Sequence, residues 1–239
     1  MPEPEVLETI ARAGQQAPFA SQLYSVILCT KGKFTFKAPC SFIICVDAHK
    51  LELFMKKRGW DIKTNRLTLL LLGMQDASYM AENMVMAAES LGLGSCFLGE
   101  GSINADRVRY LAKKLKLPKL VLPMVELVMG YPDEEAQTRP RYPIEFTLFK
   151  ETYPELDDGL LEKSMEVMDK GYLKQDYYAK QKCKIAIEGE KNDKFTYADY
   201  SWTEHISRKW GQWAESPNDL LDVLRERGFP IEKDKAGGN

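Results

Sequence analysis

The 239-residue chain has two histidines, His49 and His205, and neither has a partner at metal-ligand or triad spacing. It has no Cys-x-x-Cys, no Gly-x-Ser-x-Gly elbow and no Walker-type loop. Nothing in it pairs a nucleophile with its base, so if the chain is an enzyme a cofactor does the hard chemistry. Five cysteines, Cys29, Cys40, Cys45, Cys96 and Cys183, are an odd number, which argues against a disulfide framework, a zinc ribbon or a ferredoxin-type cluster. Reduced, mostly core thiols are expected. An excess of one charge is also lacking: 33 Lys and Arg stand against 35 Asp and Glu, which leaves no net field to draw nucleic acid or an anionic membrane surface. No run of eighteen apolar residues occurs, and the opening MPEPEVLETI is acidic without an apolar stretch. A soluble, cytoplasmic protein with no membrane partner is therefore expected.

What is present is a mixed pattern of helix and strand. Glu5 to Gly14 carries Val6, Leu7, Ile10 and Ala13 on one face, a short amphipathic helix. Val26 to Cys29 and Ser41 to Val46 are β-rich, the second apolar on both faces as a central strand is, with turn signals from Lys31 to Pro39 between them. Asn65 to Leu91 reads as one long helix whose Ala77, Met80, Ala81, Met84, Val85, Ala88 and Leu91 recur at steps of three and four. Its alanines allow close approach of another helix or of a flat ligand, and Gly92 and Gly94 stop it. A plain core helix with a glycine cap fits the same residues. Cys96 to Leu98 is a short strand, Ala105 to Leu115 an amphipathic helix, and Val121 to Met129 a buried strand closed by Gly130-Tyr131-Pro132. The order is α+β, with no βαβ period and no internal repeat. After Arg141 the chain turns to an extended run, Ile144 to Tyr153, and then to charged helices. Two apolar stripes mark those helices, Leu160, Leu161, Met165 and Met168 in one, and Trp202, His205, Ile206, Trp210 and Trp213 in the other. Such a stripe must pack on something. Glu188 to Lys194 reads as a polar linker and Asp234 to Asn239 as a disordered tail.

Two segments could carry chemistry. In Thr138-Arg139-Pro140-Arg141-Tyr142-Pro143 the prolines favour extended backbone, in which residues two apart point the same way about 7 Å apart. Arg139 and Arg141 then form a phosphate clamp, or else an inter-strand or subunit salt bridge. Ala17-Pro18-Phe19-Ala20-Ser21-Gln22 is a loop offering backbone N–H groups, a hydroxyl and an amide that can both donate to and accept from a heterocycle edge. A loop without function fits it too. Gly92-Leu93-Gly94 lacks the third glycine of a dinucleotide fingerprint and ends a helix instead of opening one.

Taken together, Asp76-Ala77-Ser78, Ala88-Glu89-Ser90-Leu91-Gly92-Leu93-Gly94 with Gly99, Leu127-Val128-Met129-Gly130-Tyr131-Pro132 and Arg139-Pro140-Arg141 resemble the nitroreductase family of FMN-dependent oxidoreductases. Within it they are most similar to oxygen-insensitive nitroreductases and NAD(P)H-flavin reductases. The resemblance implies an α+β fold with a central antiparallel sheet wrapped by helices, and a homodimer with two FMN sites at the subunit interface. It implies an FMN-binding core over residues 1–152, with 153–239 as a helical extension of the same domain embracing the partner. By position, Arg139 and Arg141 look like phosphate ligands, and Phe97, Gly99 and Glu100 like the strand along the isoalloxazine. Ala20, Ser21 and Gln22 look like the loop that meets ring and ribityl chain. The family's Arg-x-Ser-x-Arg segment is not in this sequence, and the insert after the first strand is shortened to Lys31 through Lys37. Lys33 or Lys37 could substitute in holding the phosphate. The implied activity is NAD(P)H-dependent reduction of nitroaromatics, quinones or flavins by ping-pong hydride transfer. A specialised flavin enzyme, such as a reductive dehalogenase, or a non-catalytic flavin-binding dimer would share these motifs.

Overall fold

The computed structural model describes residues 1–189, 192–212 and 217–231. Trp213, the tail from Asp234 and the middle of the Glu188–Lys194 linker lie outside the described residues. The chain divides into two compact units, Met1–Asp133 with Ser216–Asn239, and Glu134–Glu215.

The first unit is built on a four-stranded antiparallel sheet in the order β1-β2-β4-β3. Its strands are β1 (Tyr24–Cys29), β2 (Cys40–Asp47), β3 (Gly94–Leu98) and β4 (Val121–Gly130). All eight residues of β2 are buried, because helices cover both faces. Phe42 and Ile44 pack with Ala77, Met80, Ala81, Met84 and Ala88 of α3 (Arg66–Ser90) and with Leu7 and Ile10 of α1 (Pro4–Gly14). Ile43 and Cys45 point the other way, to Leu111 of α5 (Ala105–Lys114). This period-2 division turns a continuous apolar run into a strand with two cores.

Helix α3 lies close on the sheet. A Cβ added at Gly73 would stand 2.4 Å from Val46 Cγ1 and 3.3 Å from the Leu23 carbonyl oxygen, so only glycine permits this approach. Asn65 caps its first turn by accepting the Leu67 N–H. At its other end Gly92 takes φ 77, while the Gly92 and Leu93 N–H groups donate to Glu89 and Ala88, a Schellman stop.

Two helices of this unit have no counterpart in the sequence reading, α2 (His49–Lys57) and the one-turn α4 (Glu100–Ile103). The last helix, α9 (Pro217–Glu226), returns to the first unit's core with Val223 and Phe229, both fully buried among Leu120, Leu122 and Val108. Arg227 ties that return down by donating to the carbonyls of Val121, Leu117 and Pro118.

The second unit holds α6 (Asp158–Lys174), α7 (Tyr177–Gln181) and α8 (Trp202–Gln212). The run Ile144 to Tyr153, expected to be extended, instead forms a 3-10 turn at Ile144–Phe146 followed by irregular chain. With no strand beside it among the described residues, the turn meets its backbone groups locally, Phe146 and Thr147 donating to Pro143 and Ile144. Trp202 is half-buried, edge-on to Tyr142 at 5.4 Å, and His205 packs on Tyr178.

Candidate functional site

The loop before β1 is built by one buried carboxylate. Asp76, in the middle of α3 and only 1% exposed, accepts the backbone N–H groups of Ala20 at 2.6 Å, Ser21 at 3.1 Å and Leu23 at 2.9 Å. A buried carboxylate costs much free energy unless its lone pairs are bonded, and here three donors satisfy it. Among the described residues it makes no ion pair. Its charge also helps burial to raise the pKa of the Tyr24 phenol.

Gln22, in the same stretch, is not held by Asp76 and takes φ 53, a left-handed conformation that non-glycine residues adopt at a cost. The side chains of Ala20, Ser21 and Gln22 are exposed, while Leu23 is buried and its carbonyl accepts from Asp47. Two of the loop N–H groups that the sequence offers to a ligand, those of Ala20 and Ser21, are thus turned inward. What remains outward is the hydroxyl of Ser21 and the amide of Gln22.

Phe97, Gly99 and Glu100 sit where β3, an edge strand, runs into α4. Phe97 is 42% exposed, Gly99 and Glu100 are exposed, and a Cβ at Gly99 would meet nothing within 4 Å. Just behind them Gly101 is buried so closely on β4 that a Cβ would stand 3.2 Å from the Met124 carbonyl. The register puts the start of β1 and the end of β3 toward the same end of the sheet, on its two opposite edges. Lys31, Lys33 and Lys37 lie at the other end, between β1 and β2.

In the second unit, Arg139 donates from Nη1 to Gln175 Oε1 at 2.7 Å, and its guanidinium lies 4.4 Å from the centre of the Tyr177 ring. Gln175 donates in turn to the Thr138 carbonyl. Arg141 is exposed and folds its Nη1 onto the carbonyls of Arg139 and Pro140. Among the described residues neither arginine pairs with a carboxylate. Burial raises the Tyr172 phenol and Tyr177 adds to it, while both arginines act to lower it, so the two positive charges are felt at one spot. Gln175 had no place in the sequence reading. Asp76 appeared there only within a motif, although an acidic residue four before Met80, on the buried face of a helix, was the available signal.

Burial disfavours the thiolate form of the cysteines, raising all five, and Cys45 is pushed up to about 12. Among the described residues no three His, Cys, Asp or Glu side chains come together as metal ligands, and no helix is long and apolar enough to cross a membrane.

Comparison with known proteins gives four findings. The profile of the nitroreductase family matches residues 27–131. An oxygen-insensitive NADPH nitroreductase of Salmonella typhimurium is 40% identical over 67% of this chain and 57% of its own length, so the chain spans less than two thirds of that relative. An FMN reductase (NADPH) of Bacillus subtilis is 26% identical over 94% of this chain and 89% of its own. Among solved structures, NfrA2 of B. megaterium superposes with a TM-score of 0.79 over 97% of this chain and 92% of that one, at 21% identity. That likeness concerns the fold.

Proposed function

The chain belongs to the nitroreductase family, and from that premise we propose that it is an FMN-dependent oxidoreductase. It would draw electrons from NAD(P)H and pass them to small acceptors such as nitroaromatics, quinones or flavins. The observation that carries the reading is the state of Arg139 and Arg141. Both are charged, both donate to neutral oxygens, and neither is matched by a carboxylate among the described residues. A phosphate carrying nearly two negative charges is the complementary ligand.

FMN, when bound, supplies hydride acceptance from the nicotinamide and release to the acceptor. The chain's own part is to bind and orient. Arg139 is held in place by Gln175 and Tyr177, which limits the side-chain entropy lost when it engages a phosphate. Gln22 offers an amide that both donates and accepts, the pattern a pyrimidine edge requires. Phe97 offers an exposed aromatic ring, and Gly99 leaves open space where a side chain would bar a planar group. A backbone N–H at Gly99 or Glu100 is our candidate donor to the ring's N5 or O4.

We also infer a homodimer with two such sites. The Gln22 loop and the Phe97–Glu100 segment stand on opposite edges of a four-stranded sheet, separated across it by three strand spacings, at least about 14 Å. A second copy would let one ring system meet both segments. Helix α3 shows a stripe of exposed apolar residues, Leu67, Leu71 and Met74, suited to such a contact. In this reading the α6 and α8 region embraces the partner.

The test is direct. Purified protein titrated with FMN should show saturable fluorescence quenching at micromolar protein, and anaerobic NADH or NADPH should bleach the yellow complex before any acceptor is added. No saturable binding would reject the reading. Sedimentation equilibrium should return twice 27.3 kDa; a stable monomer that still binds FMN would reject the shared sites alone.

A further inference from the structure

The carboxylate of Asp76 sits eleven residues into a 25-residue helix, away from either terminus and without a cation among the described residues. Nothing about a central core helix asks for an acid there. An apolar residue would fill the same place beside Ala77 and Met80 at no desolvation cost. What the acid does do is visible: it gathers three of four consecutive N–H groups, those of Ala20, Ser21 and Leu23, and passes over that of Gln22. With the residues on both sides of it anchored to one carboxylate, Gln22 is confined to its left-handed conformation. No acceptor for the Gln22 N–H is found among the described residues. The loop is held from a second direction by β2, where Asp47 donates to the Leu23 carbonyl, and from a third by the close approach of Gly73.

We propose that Asp76 is the positioning residue of the cofactor loop: it fixes the backbone of Ala20 to Leu23 so that Gln22 presents its amide and its own N–H outward in the orientation the flavin ring needs. This rests on the proposed function above. Asp76 touches no cofactor in this scheme and acts through Gln22. The strain of a left-handed glutamine is met in advance by the three bonds, so the loop does not have to be ordered when the ligand arrives.

Asp76→Asn is the informative substitution. It keeps the volume but replaces an acceptor oxygen by an NH2 group facing backbone N–H donors, so at least one of the three bonds must be lost. FMN affinity of the full chain, read by fluorescence titration, should fall about tenfold or more. Gln22→Ala should weaken binding as well. The double variant should be little worse than the weaker single one, because both act through the same side chain. Losses that multiply, or Asp76→Asn binding as tightly as the unaltered chain, would overturn the proposal.

Should Asp76→Asn fail to fold, amide hydrogen exchange on the unaltered protein carries the test. In the flavin-free chain the N–H groups of Ala20, Ser21 and Leu23 should exchange slowly and that of Gln22 fast, with Gln22 slowing when FMN is added. Fast exchange at all four positions without FMN, or a Gln22 N–H indifferent to bound FMN, would overturn it. An unaltered chain that does not bind FMN at all would instead remove the proposed function, whereas fast exchange of the Ala20, Ser21 and Leu23 amides in a chain that does bind FMN would overturn the Asp76 role alone.

Discussion

Arg208 grips Asp193 with both arms of its guanidinium, Nη1 to Oδ2 at 2.6 Å and Nη2 to Oδ1 at 2.7 Å. The arginine is only 5% exposed, and it also donates from Nε to Glu204 and from Nη1 to the Ile185 carbonyl. Asp193 takes a third bond from Lys184 at 2.8 Å. One buried cation on α8 therefore pins the irregular chain around residues 185 and 193 to the helix. The Arg208 bond first, and then that of Lys184, holds the Asp193 carboxyl well below the usual range.

A depressed folded-state pKa has a definite sign. Its stabilisation is complete above the unfolded value, about 4, and is lost as pH falls through the lower folded value. Asp193→Asn should therefore lower the thermal midpoint at pH 7, and the difference from the native chain should shrink steadily below about pH 4. Circular dichroism melts over a pH series check this. A gap that stays constant down to pH 2 would mean that the pair is not what holds the segment.

Arg141→Ala removes a charge that spends its other bonds on its own backbone, so little of the fold should follow. FMN affinity should drop by about 1.5 to 3 kcal/mol, ten- to a hundredfold. Titration at matched ionic strength measures it, and unchanged affinity would assign the arginine pair a structural role.

Phe229→Ala addresses the return of the chain to the first unit. The ring is fully buried beside Val223 and Leu120, and its removal should cost about 3 to 5 kcal/mol. Urea unfolding checks this. A cost under about 1 kcal/mol would mean that the segment after α9 is not part of that core.

If one flavin face serves donor and acceptor in turn, as proposed, steady-state rates against NADPH at several acceptor concentrations should give parallel double-reciprocal lines. Intersecting lines would require both substrates to be held together and would reject this use of the site. The faster of NADH and NADPH in anaerobic bleaching identifies the donor.

Much of the first unit was legible in the sequence. The buried stripe of α3 is a local signal of period 3.6, its stop at Gly92 is a glycine signal, and the two-faced apolar run of β2 is unambiguous. Helix α2 was hidden because Leu53 and Phe54 remain exposed, so it has no buried stripe to read, and α4 is a single turn. Gln22 could be picked out by its chemistry. The grip of Asp76 on its neighbours could not, because it joins positions 53 to 56 residues apart, a distance over which pattern carries no information. The same applies to Gln175 and Arg139, 36 residues apart.

The chain leaves the first unit after Asp133 and rejoins it at Ser216, so the core treats everything between as one long detour. Closing such a detour costs conformational entropy that grows only with the logarithm of its length, about 0.6 kcal/mol for each doubling. Its size and content can therefore drift with little thermodynamic penalty, provided that β4 and α9 keep their places. A family signature that ends at residue 131, two residues short of the departure point, is what this topology predicts. The first unit is in that sense a scaffold with a graft site, and the Glu134–Glu215 segment is where this chain has most room to change length at little cost to that core.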